Sequence, residues 1–375
     1  MKHHLVAAAC CAALATPLAI AQASGTTAPT TVGSLLSSVT ITGIADAYVG
    51  SRQLSGGTRL SKVDSSGMST SQINFAGEKK FGDIKAEFAL GMFLRPDDGG
   101  QGRFAGDTFF GRNAYVGVGG DFGTVRFGRQ STGNFLNFLR TNSFGDSSTF
   151  GPTFVHTWVS PIAQGTQFVS PGAPATSRGL TGALGTSDSA WNNSVVYISP
   201  AVQGFTGQAQ WAPSEAAGVG GRTGLSGFYA SGPLNLSLAT EQIGAASVPA
   251  SGPAAAVINR QTTWQMSGAY ALGFGRISAG YINTKRDFAT IIDDKISTFH
   301  VGASIPLSAN GTVLVQLAQS TQTPDTGAAL KRTTTSLGYT HTIFKEVDLY
   351  AVFMNDRMSN QASGNSIGLG ARYRF

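Results

Sequence analysis

The chain has two cysteines, Cys10 and Cys11, and both fall within its first 23 residues. The region from Ser24 onward therefore has no thiol to bridge, oxidise or give to a metal, and its stability must come from elsewhere. Charge is scarce as well: Asp, Glu, Lys and Arg make up 12% of residues, about half of what soluble domains carry. After the N-terminus there is no apolar run of about 20 residues, which excludes membrane-spanning helices. No segment reads as a strong amphipathic helix. Only His156, His300 and His341 follow residue 23, and they lie far apart without metal-ligand spacing. Basic residues are scattered rather than clustered, which argues against nucleic acid as a partner.

The N-terminus carries Lys2, His3 and His4, then an apolar run from Leu5 to Ile20, then Ala21-Gln22-Ala23. That order predicts a signal peptide over 1–23, with one domain following over 24–375. A lipid-type cleavage before Cys10 fits less well, because Ala7 sits where a larger aliphatic residue is expected. Removing 1–23 takes one lysine and leaves 25 basic against 20 acidic side chains.

What the rest has in abundance is glycine, 49 residues, and strict two-residue alternation. "VTITGIADAYV" sets Val39, Ile41, Ala45, Ala47 and Val49 against Thr40, Thr42, Asp46 and Tyr48. "DIKAEFALGM" sets Ile84, Ala86, Phe88, Leu90 and Met92 against Lys85 and Glu87. "STFHVGASI" and the final "GNSIGLGARYRF" do the same, the last with Arg372 and Arg374 opposite Leu369, Ala371 and Tyr373. Such two-faced segments are half-buried strands. "DLYAVFM" departs, being apolar on both faces, which fits either a protein contact or a crowded patch.

About sixteen strands are expected, near 38–51, 69–80, 83–94, 108–118, 123–129, 189–199, 204–212, 222–231, 233–243, 262–272, 275–286, 295–307, 311–321, 331–343, 346–357 and 363–375. Their connectors alternate in length. "KKFGD", "GGDFG", "SPAVQG", "SGP", "LGFGR", "PLSANG" and "FKEV" are short, whereas "RPDDGGQGRFAGD", the 130–188 region, "KRDFATIIDDK" and "NDRMSNQASG" are long. All tight turns then lie at one end of an antiparallel up-and-down meander. A sheet that wide leaves two open edges unless it closes, and lipid demands closure because no water satisfies the backbone there. The 352 residues after position 23 give about 22 per strand and connector, which suits strands of about 9–11 residues crossing a bilayer. The expected fold is thus all-β, a transmembrane antiparallel barrel. A soluble sandwich would need sheet-to-sheet crossovers, and only neighbour-to-neighbour hairpins are visible.

"SSVTITGIADA", "GTVRFGRQ", "NSVVYISPAVQGF" and the terminal "ARYRF", in this order and spacing, resemble the Gram-negative general porins, most of all their β-proteobacterial branch. The resemblance spans nearly all of the chain after residue 23. It implies a sixteen-stranded, homotrimeric outer-membrane barrel that passes small hydrophilic solutes and ions. It implies outer-membrane lipid and lipopolysaccharide around the wall, and a terminal aromatic, Phe375, that signals to the barrel-assembly machinery. It also implies an inward-folding constriction loop after strand 5, here about 130–188. Of that loop, "STGNFLNFLRTNSFGDSSTFG" is expected to line the pore and the Pro/Gly/Ser-rich remainder to lie on the surface. No cofactor is implied.

Selectivity in such a pore is set by the few charges at the constriction. The resemblance places Arg112 at a fourth-strand wall position that usually carries arginine. Gln72 stands where the second strand often has arginine, and Trp191 or an asparagine stands near the equivalent sixth-strand position. The lining stretch offers one acid, Asp146, together with Arg140, and Arg129 stands at the loop root. By parity Lys85, Arg126, Arg276, Arg372 and Arg374 face the lumen against Asp46 and Glu87. The balance is positive, so a weak to moderate anion preference is expected.

Other signals are weaker. "GNSIG" at 364–368 matches the nucleophile pattern G-x-S-x-G, but that pattern needs a sharp strand-to-helix turn and here lies within a strand. "GVGGRTG" lacks the lysine and helix of a phosphate loop. The acid pairs in "RPDDGG" and "IIDDK" are expected to be solvated rather than cation sites. Trp211, Tyr270, Tyr281, Tyr339, Tyr373 and Phe375 near strand ends suit an interfacial girdle. A barrel acting mainly through its surface loops is the alternative reading, and a barrel enzyme fits less well, with no catalytic constellation in view.

Overall fold

The computed structural model describes residues 38–103, 107–157, 189–215, 220–248, 256–289 and 293–375. The segment 1–23, where a signal peptide is expected, lies outside these residues, as does the loop segment 158–188. Nineteen strands form one antiparallel sheet: β1 (Ser38–Arg52), β2 (Leu60–Ser65), β3 (Gln72–Phe81), β4 (Ile84–Arg95), β5 (Gly100–Gln101), β6 (Asn113–Gly120), β7 (Gly123–Ser131), β8 (Ala190–Ile198), β9 (Phe205–Ala212), β10 (Arg222–Ser231), β11 (Leu234–Ile243), β12 (Ala246–Val248), β13 (Ala256–Leu272), β14 (Gly275–Phe288), β15 (Asp294–Pro306), β16 (Gly311–Pro324), β17 (Leu330–Phe344), β18 (Val347–Met358) and β19 (Gly364–Arg374). β5 and β12 are short extensions, and β2 continues the β3 position along β1. The wall thus has sixteen places, and β1 pairs with β19 to close it, from Ile44 opposite Arg374 to Ser51 opposite Ile367. Closure leaves no edge between first and last strand, which is what a lipid-facing sheet needs. Phe375 completes the seam: its N–H donates to Gly43 O at 3.1 Å, and Gly43 N–H donates to Phe375 O at 2.8 Å.

The alternation resolves into an outer apolar face and an inner polar one. Ile41, Val49, Leu238, Phe299, Leu337 and Leu369 are exposed outward, whereas Asp46, Gln265, His300, Gln316 and Ser366 point inward and are buried. Phe81, Phe122, Phe205, Phe274, Phe344, Tyr373 and Phe375 are exposed beside the short turns, as expected of an aromatic girdle.

Three features differ from the sequence expectation. The second wall strand is interrupted: residues 66–71 leave the sheet between β2 and β3. The loop after β7 contains two helices, α1 (Gly133–Thr141) and α2 (Pro152–Thr157), where no helix was expected. "DLYAVFM" is apolar inward for an internal reason: Tyr350, Val352 and Met354 form a buried cluster with Tyr48, Leu54, Met68, Leu314, Phe144 and Phe150, the last two belonging to the loop. An apolar patch inside a polar lumen would be costly without the two phenylalanines that cover it, each worth about 1.5–3 kcal/mol on burial.

Candidate functional site: the loop across the lumen

The loop starts with a capped helix. Thr132 Oγ1 accepts the Phe135 N–H at 3.1 Å, satisfying one of the orphan donors of the first turn. Gly133 then passes so close to the wall that a Cβ there would lie 2.0 Å from Ser226 Oγ, so only glycine admits this approach. The wall-facing side of α1 is polar and is matched by the strands beneath it. Asn137 Nδ2 donates to Gly227 O at 3.1 Å, Gln265 Nε2 donates to Asn134 O at 2.5 Å, and Thr141 Oγ1 donates to Ser267 Oγ at 2.7 Å. Beyond the helix, Ser143 and Ser278 hydroxyls meet at 2.9 Å, and Gln316 donates to Asn142.

The middle of the loop docks on the excursion at 66–71. Thr70 N–H donates to Asp146 Oδ2 at 3.2 Å, Ser147 Oγ donates to Gly67 O at 2.6 Å, and Thr149 Oγ1 donates to Ser66 O at 3.0 Å. The excursion is itself held by Asp46. Its carboxylate accepts the N–H groups of Gly67, Met68 and Ser69 at 2.8–3.0 Å and the Tyr350 hydroxyl at 2.6 Å. Asp46 is fully buried. It is a structural anchor, not the free lumen acid that parity suggested.

The loop then turns back to α2, where His156 bridges two strands. Its Nδ1 meets Ser320 Oγ and its Nε2 meets Thr334 Oγ1, each at 2.7 Å. Burial, with the Arg332 charge nearby, brings the His156 pKa down to about 3. Burial pushes the Asp146 carboxyl up from its ordinary value, opposed by the charges of Arg112 and Arg372.

These anchors fall on β10 through β19 and on the β1–β3 region, so the loop narrows the lumen from one side. Arg112 stands at the start of β6 and donates to Gln72. The glutamine that replaces a wall arginine is therefore that arginine's partner. Arg129 is buried at the loop root, donating to Gly111 O at 2.8 Å and Asn192 Oδ1 at 2.7 Å. Trp191 is buried with Ala212 and Ile243, away from the solute path. Arg126 pairs with Glu87 at 2.6 Å, and Lys85 reaches the same carboxylate at 2.8 Å. By register both sit near the short turns, not beside the loop. Arg372 and Arg374 share Asp348 at 2.8 and 2.7 Å, and Arg372 also donates to Ser69 Oγ at 2.7 Å. Arg276 donates to the backbone carbonyl of Arg140. Ser366, in the nucleophile-like stretch, is buried and accepts the Gln53 N–H at 3.0 Å within the wall.

A closed antiparallel wall, apolar outside and polar inside, with a loop pinned across its interior, defines a transmembrane channel barrel. The chain belongs to the Gram-negative porin family, whose profile matches residues 6–361. It is 28% identical over 348 residues to outer membrane porin protein 32 of Delftia acidovorans, covering 90% of this chain and 88% of that one. It is 24% identical over 396 residues to an outer membrane porin of Bordetella pertussis, covering 90% and 94%. Among solved structures, the anion-selective porin from Comamonas acidovorans superimposes with a TM-score of 0.71 at 24% identity, covering 90% of this chain and 99% of that one. The trimer form of OmpT from Vibrio cholerae gives 0.64 at 16% identity, with 90% and 99% covered. The protein is an outer-membrane channel for passive diffusion of small hydrophilic solutes and ions. The Delftia and Comamonas relatives come from the β-proteobacterial branch to which its motifs pointed.

Proposed function

We propose that this channel prefers anions weakly to moderately, works as a homotrimer, and does its work by diffusion without catalysis. The observation that carries the preference is the placement of guanidinium groups along a lumen narrowed from one side by a loop whose lining stretch has a single acid, Asp146. A narrow, low-dielectric path focuses the field of such groups. The solved relative described as anion-selective, and the one solved as a trimer, support the same reading. The terminal aromatic Phe375 serves as the signal to the assembly machinery, and lipopolysaccharide surrounds the outer rim. Recording in planar bilayers under a KCl gradient tests the core of this reading. A reversal potential of the anion-preferring sign, with conductance closing in three equal steps, is expected. Clear cation preference would overturn the first part and single-step closure the second.

A further inference from the structure

Most arginines near the pore have their field offset by an acid. Arg126 faces Glu87, Arg372 and Arg374 face Asp348, and Arg112 feels the charge of Asp146. Arg140 differs. It projects from the last turn of α1, and among the described residues no carboxylate bears on it; burial alone brings its pKa down to about 10. Its guanidinium carbon lies 4.0 Å from the centre of the Phe228 ring. A flat cation stacked on an aromatic face keeps its N–H edge free to donate. Of its five N–H bonds, the side chain uses one in a long contact of 3.5 Å to Asn137 Oδ1, and its Nε is buried without a hydrogen-bond partner. Arg276 donates to the Arg140 backbone carbonyl, which ties the C-terminal end of α1 to the wall. Phe228 and Arg276 both lie within a few residues of short turns, so the group faces the short-turn side of the loop.

We infer that Arg140, stacked on Phe228 at the end of a helix that Arg276 ties to the wall, is a transit site for oxyanions and the main determinant of anion preference, ahead of the wall arginine Arg112. This rests on the anion-preferring reading and names the residue behind it. An oxyanion passing the loop finds a fixed pair of parallel N–H donors, the geometry that matches carboxylate or phosphate. No protein acid must be displaced first. A like charge on the solute is repelled at the same point.

The test compares the wild type with Arg140→Gln, Arg140→Lys, Phe228→Leu and Arg112→Gln in planar bilayers, each checked for the folded, heat-modifiable barrel. In a KCl gradient, Arg140→Gln should cut the chloride-to-potassium permeability ratio by up to about sixteenfold, since removing one charge about 5 Å from the ion path in water changes each ion's occupancy about fourfold and in opposite senses. Arg112→Gln should change it less than twofold. Inorganic phosphate, added as probe, should depress the chloride current of the wild type. That block should weaken strongly in Arg140→Gln and Phe228→Leu and partly in Arg140→Lys, which keeps charge but loses the fork. The inference is overturned if Arg140→Gln keeps the wild-type ratio and phosphate block, or if Arg112→Gln produces the larger shift. A cation-preferring wild type would instead count against the broader reading. The shift between wild type and Arg140→Gln would still report on Arg140.

Discussion

Acid should loosen the far anchor of the constriction loop, and the size of the effect follows from the hydrogen bonds at His156. The Asp356 carboxylate can only accept, so Thr334 Oγ1 must donate to it across their 2.5 Å contact. Thr334 Oγ1 must therefore accept from His156 Nε2–H, which leaves Nδ1 as an acceptor for the Ser320 hydroxyl. Ser320 in turn accepts from Thr298 Oγ1 at 2.7 Å. The imidazole is thus neutral in a fixed tautomer. A second proton on Nδ1 would face the Ser320 hydroxyl, whose hydrogen already points at it, with the charged Arg332 close by. The docked pKa is about 3 against an ordinary 6.5. A released or unfolded loop therefore takes up a proton below pH 6.5 that the docked loop refuses until about pH 3. Stability is complete above that range and is lost as pH falls through it. At pH 4 the loss is about 3 kcal/mol, from roughly 1.4 kcal/mol per unit. The measurement is denaturant unfolding of the purified barrel in detergent at pH 7 and pH 4, for wild type and His156→Gln. Glutamine can donate to Thr334 and accept from Ser320 but cannot titrate. The wild type should lose about 3 kcal/mol more than the variant between the two pH values, with noisier open-channel current at pH 4. Parallel loss in both proteins would refute the reasoning.

Three further outcomes follow from other contacts. Asp46→Ala leaves three buried N–H groups and the Tyr350 hydroxyl without their acceptor, and should cost about 3 kcal/mol or more of unfolding free energy, with Asp46→Asn intermediate; a change under 1 kcal/mol in Asp46→Ala would contradict the anchor. Phe150→Ala empties a fully buried site against Tyr48 and should cost about 3–5 kcal/mol while raising single-channel conductance, because the loop loses its seat. Gly50→Ala would set a Cβ 2.0 Å from the Ile367 carbonyl oxygen across the closing seam. That contact is with backbone and cannot turn aside, so a loss of about 1–3 kcal/mol and slower refolding into the heat-modifiable form are expected.

The wall was legible in the sequence because each strand reports its own two faces and each connector its own length. Sixteen places, closure at the terminal strand and a long loop after the fifth place all follow from those local signals. What the sequence concealed depends on contacts far apart along the chain. The excursion at 66–71 shows only as a Ser- and Gly-rich run, and its cause is Asp46, twenty residues earlier. The helix α1 carries Phe135, Phe138 and Leu139 at helical spacing, but so short a piece is stable only against the wall that holds it. Parity placed Lys85, Arg126, Arg372 and Arg374 in the lumen. It could not show that Glu87, on the same strand as Lys85 and two strands from Arg126, and Asp348, on the strand next to Arg372 and Arg374, offset their charge.

The loop's resting place follows from which half of the wall is cheap to cover. Beneath it the inward residues are mostly small or neutral: Ser237, Gln265, Ser267, Ser278, Thr298, Gln316, Ser320 and Ser336 are all buried. Each can exchange water for a loop hydroxyl, amide or carbonyl at little net cost. Covering an ion is far more expensive, since its hydration must be replaced in full. Lys85, Glu87, Arg126 and Arg112 stand on or beside β4, β6 and β7, outside the stretch the loop anchors on, while the ions within that stretch are paired, as Arg332 with Asp356 and Arg372 with Asp348. The carboxylates that do lie beside the loop are each satisfied: Asp46 by three N–H groups and the Tyr350 hydroxyl, and Asp356 by Arg332 and Thr334. Glu241 of β11 is buried against the start of α1, where it meets Thr132 and Asn134. At the start of a helix the carboxyl finds backbone N–H groups that have no intrahelical partner. Loop and wall are therefore matched by charge type as well as by shape.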